Sequence, residues 1–221
     1  MEEKYDLFHT VLRELQNAGV LEKLILAGSW CQYYYRILFD NAPEVPLIRT
    51  SDIDFLVPSR PLIRKTADVT QILNRIGFDN DFDYHTGLVK YVHPDPEIQF
   101  ITPAGRKRNT PCEIRELNIN AEGLAYLTLL QDFSFRMKDG DIGIRLPEPE
   151  AYVLHKILVS RKRRNTAKRD RDLLSAGNIG ELCLKDKTRR ERLKTIYDSI
   201  PKKWRKKICD TWESSFCRDF L

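Results

Sequence analysis

The sequence predicts an α/β (α+β) protein: a mixed sheet with flanking helices, followed by a C-terminal helical domain. Three observations carry this prediction. Leu24–Ala27, Asp52–Val57 and Glu97–Ile101 are short apolar or alternating runs of strand length, set between segments of helical spacing or turn residues. Asp139-Gly140 lies between two alternating segments, a hairpin signal. From Pro147 onward, apolar residues recur every three or four positions, as on one face of a helix. The expected partition is 1–118 for the sheet-bearing domain and 119–221 for a β-hairpin and C-terminal helical domain that closes a cleft.

Taken in order, Leu7, Phe8, Val11, Leu12 and Leu15 form one helical stripe over residues 3–18, and Gly19 stops it. Leu24–Ala27 is a short buried strand that turns at Gly28, with Ser29 as the expected cap of a helix over Trp30–Phe39. A proline-bearing loop follows, Asn41-Ala-Pro-Glu-Val-Pro, and Arg49 ends it. After the Asp52–Val57 strand, Pro61 opens a helix reaching Ile76, closed by Gly77. Phe78 to Tyr91 alternates turns with short strands, and Asp79, Asp81 and Asp83 read as a solvated loop, since they lack the glycine and terminal glutamate of a calcium loop. Glu97–Ile101 is the next strand. Leu124–Gln131, Phe133–Met137 and Ile142–Leu146 follow as further strands. Pro149 opens a helix in which Ala151, Leu154, His155 and Leu158 form the apolar stripe, so His155 reads as a satisfied core residue. Residues 178–199 and 201–220 complete a helical bundle, with Trp204, Ile208, Trp212 and Phe216 on one side as core.

Composition narrows the function classes. At 221 residues the chain can bury a sizeable core, and 42% hydrophobic with 31% charged residues is ordinary for a globular protein. No apolar run approaches the ~20 residues needed to cross a bilayer, so no membrane partner is expected. The start, MEEKYDLFHT, lacks the basic-then-apolar layout of a signal peptide. Cys31, Cys112, Cys183, Cys209 and Cys217 are scattered without a Cys-x-x-Cys pair, which fits reduced thiols and a cytoplasmic setting. The net charge of +5 is concentrated at Arg106–Arg108, at Arg161–Arg171 and at Lys202–Lys207. Such clusters attract phosphate, on a nucleotide or on RNA; the last also reads as a solvated helix face.

The chemistry sits between Leu24 and Val57. Strand side chains alternate, so Asp52 and Asp54 share one face while Ile53, Phe55 and Val57 share the other. Two neighbouring carboxylates are costly unless a cation neutralises them, and oxygen-only donors suit Mg²⁺ or Mn²⁺. At the other end, Gly28 lacks the Cβ that would keep a phosphate from the main chain, and a helix N-terminus beside it offers free N–H donors.

An apolar strand, Gly28-Ser29, and then Asp52-Ile53-Asp54 two dozen residues later resemble the nucleotidyltransferase-fold superfamily (DNA polymerase β-like). The run Arg49-Thr-Ser-Asp-Ile-Asp-Phe is most similar to a bacterial branch that includes abortive-infection and toxin-like members. The resemblance implies a nucleotidyltransferase-type mixed sheet over 1–118, two Mg²⁺ (or Mn²⁺) ions on Asp52 and Asp54, and an NTP, ATP foremost, whose triphosphate meets Gly28 and Ser29. Ser51 and Arg49 join this nucleotide-binding set, Arg49 either touching phosphate or pairing with an acid. A third carboxylate is expected from a later strand, and Glu97 is the candidate, as metal ligand or as base for the acceptor hydroxyl, with Asp95 as substitute. Glu97-Ile98-Gln99 is similar to the Glu-Val-Gln strand of alarmone synthetases, although Pro96 directly before it departs from that pattern. Pro149–Lys156, Arg161–Arg164 and Lys168–Leu173 resemble the helical half of the bacterial members, which implies that Lys156 and Lys168 meet the triphosphate or the acceptor and that Asp172 orders a basic side chain or lies near the metal cleft. The implied activity is metal-dependent transfer of an NMP from an NTP to a hydroxyl on an RNA (tRNA included) or a protein. Two other readings stand beside it: a toxin–antitoxin type transferase, and a catalytically degenerate nucleotide-binding or interaction module.

Overall fold

The computed structural model of the chain describes residues 2–45, 52–59, 66–104 and 111–212, with Glu2, Glu3 and Lys4 described by backbone alone. It is a mixed α/β protein of two compact units, one of Met1–Cys31 and Ile48–Leu146, the other of Gln32–Leu47 and Pro147–Leu221. The stretch 119–146, grouped by sequence with the C-terminal helices, lies with the sheet of the first unit.

The first unit is built on a seven-stranded sheet. Its strands are β1 (Ile25–Ala27), β2 (Asp52–Leu56), β3 (Asp79–Phe82), β4 (Val89–Val92), β5 (Glu97–Pro103), β6 (Pro111–Ile114) and β7 (Ile119–Leu124). The order is β1-β2-β5-β4-β3, with β7 also pairing β5 and carrying β6 on its far side. β2 and β5 run parallel, as do β5 and β7, while β1–β2, β3–β4, β4–β5 and β6–β7 are antiparallel. Helix α1 (Glu2–Asn17) turns its stripe of Phe8, Val11, Leu12 and Leu15 fully inward, and the Phe8 ring stacks on Trp30 at 3.8 Å between centroids.

The period of two decides what each sheet face does. Ile53, Phe55, Ile98, Phe100 and Tyr91 occupy one face and are buried; the Phe55 and Phe100 rings stack at 5.8 Å, and Tyr91 meets Phe100 edge-on. Each such side chain contributes about 1.5–3 kcal/mol by leaving water. The other face is divided along its length. At one end Ile25, Ala27, Leu56 and Ile101 pack with Leu127 and Leu130. These two leucines lie on α4 (Leu127–Asp132), where a strand was expected over 124–131; β7 stops at Leu124 and Tyr126, at φ 68°, turns the chain into the helix. Leu127 and Leu130, three apart, share one helical face, and the apolar end of the sheet supplies the surface that face needs. The other end of that face stays polar. It holds the site described below.

Further elements differ from expectation in instructive ways. Residues 61–65 of the predicted 61–76 helix lie outside the described residues; the helix seen, α3, is Val69–Arg75, and Asp68 caps it by accepting from Gln71 N. Asp79 and Asp81 are on strand β3, not in a loop, while Asp83 closes the β3–β4 turn by accepting from His85 N and Thr86 N. The hairpin of β8 (Ser134–Asp139) and β9 (Ile142–Pro147) forms as expected, with Gly140 at φ 59°.

The second unit is helical: α2 (Cys31–Leu38) from Gln32 onward, α5 (Pro149–Ser160), α6 (Thr166–Lys185), α7 (Lys187–Ser199) and α8 (Lys202–Cys209). Asn165 and Asp186 cap α6 and α7 through Lys168 N and Arg189 N. Trp212 packs its ring where Gly180 leaves room, since a β-carbon there would stand 2.8 Å from the ring, so this tryptophan is packing material as expected. Phe216 and Cys217 lie outside the described residues. Burial pushes the His155 imidazole down to about 3, so it is a neutral core residue; its Nε2 finds no hydrogen-bond partner among the described residues, which corrects the expectation of a satisfied one. Among the described residues no helix is long and apolar enough to cross a membrane.

Candidate active site

The polar end of the divided sheet face brings together residues far apart in sequence. Asp52 and Asp54 stand two apart on β2, so both project from that face, Asp52 exposed and Asp54 half-buried. In the parallel β2–β5 pair, Asp52 is in register with Glu97 and Asp54 with Gln99, which places Glu97 on the same face one strand away. Pro96 therefore does not turn Glu97 away: β5 begins at Glu97, in register.

Gly28 is tied to Asp54 by geometry. β1 pairs Ala27 with Asp54, and the chain leaves β1 through Gly28 at φ 65°. A β-carbon at position 28 would lie 2.1 Å from Asp54 Oδ2. Only glycine both adopts this backbone conformation without strain and leaves the carboxylate its place. The two ends of the motif, apart in sequence, thus meet at one point. Ser29 does not cap an α-helix as expected: Gly28–Trp30 forms one 3₁₀ turn, and α2 begins only at Cys31. Arg49 and Ser51, expected beside the nucleotide, lie outside the described residues, as does the basic run Arg106–Arg108.

Four residues on this face were passed over or read differently in the sequence. Lys90, on β4, donates from Nζ to Glu97 Oε1 at 2.5 Å. The hydrogen bond to Glu97 is the main cause that lifts the Lys90 ammonium above its ordinary pKa; the charges of Asp52 and Asp81 add to it. Asp81 is the register partner of Lys90 on β3. Gln99 Nε2 donates to Glu122 Oε2 at 2.7 Å, which joins β7 to the same polar surface. Of the described strand residues on this face, Lys90 is the one cation. A lone lysine in an alternating strand carries no sequence signal; only the β4–β5 register shows what it faces.

The donor set fits a divalent cation of the hard, oxygen-binding kind. Magnesium keeps several waters and commonly takes one or two carboxylates plus substrate phosphates, which Asp52 and Asp54 on an open face can supply. Among the described residues no group of three or more His, Cys, Asp or Glu side chains is arranged to hold a metal. Glu97 faces Lys90.

The basic residues of the second unit are placed differently. Lys156 Nζ donates to Asp172 Oδ1 at 2.7 Å and Arg163 Nε to Asp172 Oδ2 at 2.9 Å. The Lys156 and Asp172 side chains are only 11% and 7% exposed, so this is a buried pair. Burial alone would raise the Asp172 carboxyl, but Lys156 and Arg163 outweigh it and hold it below the usual range. Asp172 thus orders two basic side chains. Lys168 is exposed in the first turn of α6.

The family described as Nucleotidyltransferase has a sequence model that matches residues 6–201. Among solved structures, the chain is similar to the antibiotic-resistance factor ANT(2'')-Ia, at 14% identity and a TM-score of 0.44, over 88% of this chain and 97% of that one. It is also similar to an antigenic nucleotidyltransferase-like protein from Paracoccidioides brasiliensis, at 16% identity and a TM-score of 0.39, over 94% and 97% of the two chains. No curated protein sequence matches.

Proposed function

The chain belongs to the nucleotidyltransferase family, and from that premise we propose that it transfers a nucleoside monophosphate from an NTP to an acceptor hydroxyl at the polar end of its divided sheet face. The observation that supports this most directly is the placement of Asp52 and Asp54 on one open face with Gly28 packed against Asp54 Oδ2.

In this reading Asp52 and Asp54 hold Mg²⁺ or Mn²⁺, which when bound neutralises the triphosphate and favours pyrophosphate as leaving group. The triphosphate is received at the Gly28–Ser29 turn, which the missing Cβ of Gly28 lets lie directly against the Asp54 carboxylate and so beside the metal it would hold. Glu97 offers Oε2, since Oε1 is engaged by Lys90. The acceptor oxygen attacks the α-phosphorus as its proton passes to Glu97. The bond from that phosphorus to the bridging oxygen breaks, and pyrophosphate leaves with the electron pair. ATP is the first nucleotide to test, and RNA or protein the first acceptors.

The test is release of pyrophosphate from each NTP, and incorporation of label from an α-³²P NTP, with RNA and protein acceptors and Mg²⁺ present. Incorporation that Asp54→Asn abolishes supports the reading. Incorporation that this variant retains at the wild-type rate rules out the site.

A further inference from the structure

We propose that Lys90 takes the position that a second metal ion would need, so that this nucleotidyltransferase site binds a single divalent ion on Asp52 and Asp54 while Glu97, held by Lys90, is not a metal ligand. This rests on the reading of Asp52 and Asp54 given above. The argument begins with register. Glu97 is opposite Asp52 across the parallel β2–β5 pair, and Lys90 reaches the same surface from β4, across the antiparallel β4–β5 pair. The ammonium lies 2.5 Å from Glu97 Oε1, with Asp81 opposite Lys90 on the next strand.

Two consequences follow. A metal ion bridging Glu97 and the β2 carboxylates could reach Glu97 only through Oε2, and would then stand beside the ammonium bonded to Oε1 of the same carboxylate, a lysine next to a dication. A tethered cation also loses less freedom than a free ion on entering the site, because the strand already carries it there. Lys90 is thus a positioning residue: it neutralises part of the acidic face and fixes the Glu97 carboxylate.

Mn²⁺ titrated into the full chain, with free Mn²⁺ followed by electron paramagnetic resonance, reads this without any acceptor. Wild type is expected to bind a single ion. Glu97→Gln should keep that ion with unchanged stoichiometry, and Asp54→Asn should weaken it at least about tenfold. Lys90→Met, which keeps the length of the stem, should let a second ion bind. A melting curve for each variant establishes that it is folded. Two ions in the wild type, or equal loss in Glu97→Gln and Asp54→Asn, would overturn the single-ion assignment and leave Asp54 as a ligand. Failure of Lys90→Met to gain an ion would also overturn it. Unchanged Mn²⁺ binding in Asp54→Asn would instead bring down the underlying reading of the site.

Discussion

Two regions of this molecule handle carboxylates in opposite ways. Among the described strand residues of the first unit's sheet, Asp52, Asp54, Asp81, Glu97 and Glu122 share a face with one ammonium, Lys90, and Asp52 is open to solvent. In the helical unit the buried carboxylate of Asp172 meets two cations, Lys156 and Arg163. Where cations match or exceed the acid, the charges are used up and the arrangement is structural. Where acids outnumber cations on an accessible surface, the imbalance is a standing attraction for a cation from solution, and that is where chemistry is expected.

The largest expected effect breaks the first region's function and leaves its stability. Asp54→Asn should lower nucleotidyl transfer by about 10³-fold, or about 4 kcal/mol of transition-state stabilisation. Its unfolding free energy should change by less than about 0.5 kcal/mol, because one acid of a repelling set is removed. The reverse pattern is expected in the second region. Asp172→Ala leaves Lys156 buried without its partner and should cost about 3–5 kcal/mol in urea unfolding. Because the folded pKa of Asp172 is depressed, its stabilisation is present above the unfolded carboxyl value of about 4 and is lost as pH falls through the folded value. Stability measured from pH 6 downward should therefore fall more steeply in the wild type than in Asp172→Ala.

Gly28→Ala sits between these. The strained left-handed backbone should cost about 1 kcal/mol of stability. The displaced Asp54 carboxylate should weaken Mg²⁺-dependent nucleotide binding, read by calorimetry, while Gly19→Ala, at φ 71° with open space around it, should show only the backbone cost. The smallest effect is expected at Lys168→Ala, an exposed position, where a melting curve should reveal a change under about 0.5 kcal/mol.

Much of the first region was legible in sequence because its signals are local. Alternation placed Asp52 and Asp54 on one face, and Gly28 announced a turn, which the structure makes at φ 65°. Glu97, named through the resemblance, lies on a run that does form β5. What escaped was whatever depends on which strand lies next to which. The pairing of Lys90 with Glu97 and of Gln99 with Glu122 follows from β4 and β7 both bordering β5, and nothing in residues 89–92 or 119–124 states that order. The misread strand over 124–131 has the same origin. Leu127 to Leu130 is too short a run for its period to separate helix from strand, and tertiary packing against Ile101 and Leu56 decides it. In the second region period and proline marked the helices that begin after Glu148 and after Pro201, but the helical stretch expected over 178–199 is divided at Asp186 between α6, which starts at Thr166, and α7. The pairing of Lys156 with Asp172 joins two helices; the resemblance offered for Asp172 either the ordering of a basic side chain or a place near the metal cleft, and did not name Lys156 as its partner.

The central claim is that Asp52 and Asp54 form a metal-dependent nucleotide site, and one calorimetric experiment addresses it. Each NTP is titrated into the purified protein in Mg²⁺ and again in EDTA, alongside the folded Asp52→Asn/Asp54→Asn double variant. The account predicts binding in Mg²⁺ that EDTA removes and the double variant lacks. Binding of equal strength in the double variant, or no binding of any NTP to folded wild-type protein, would contradict it.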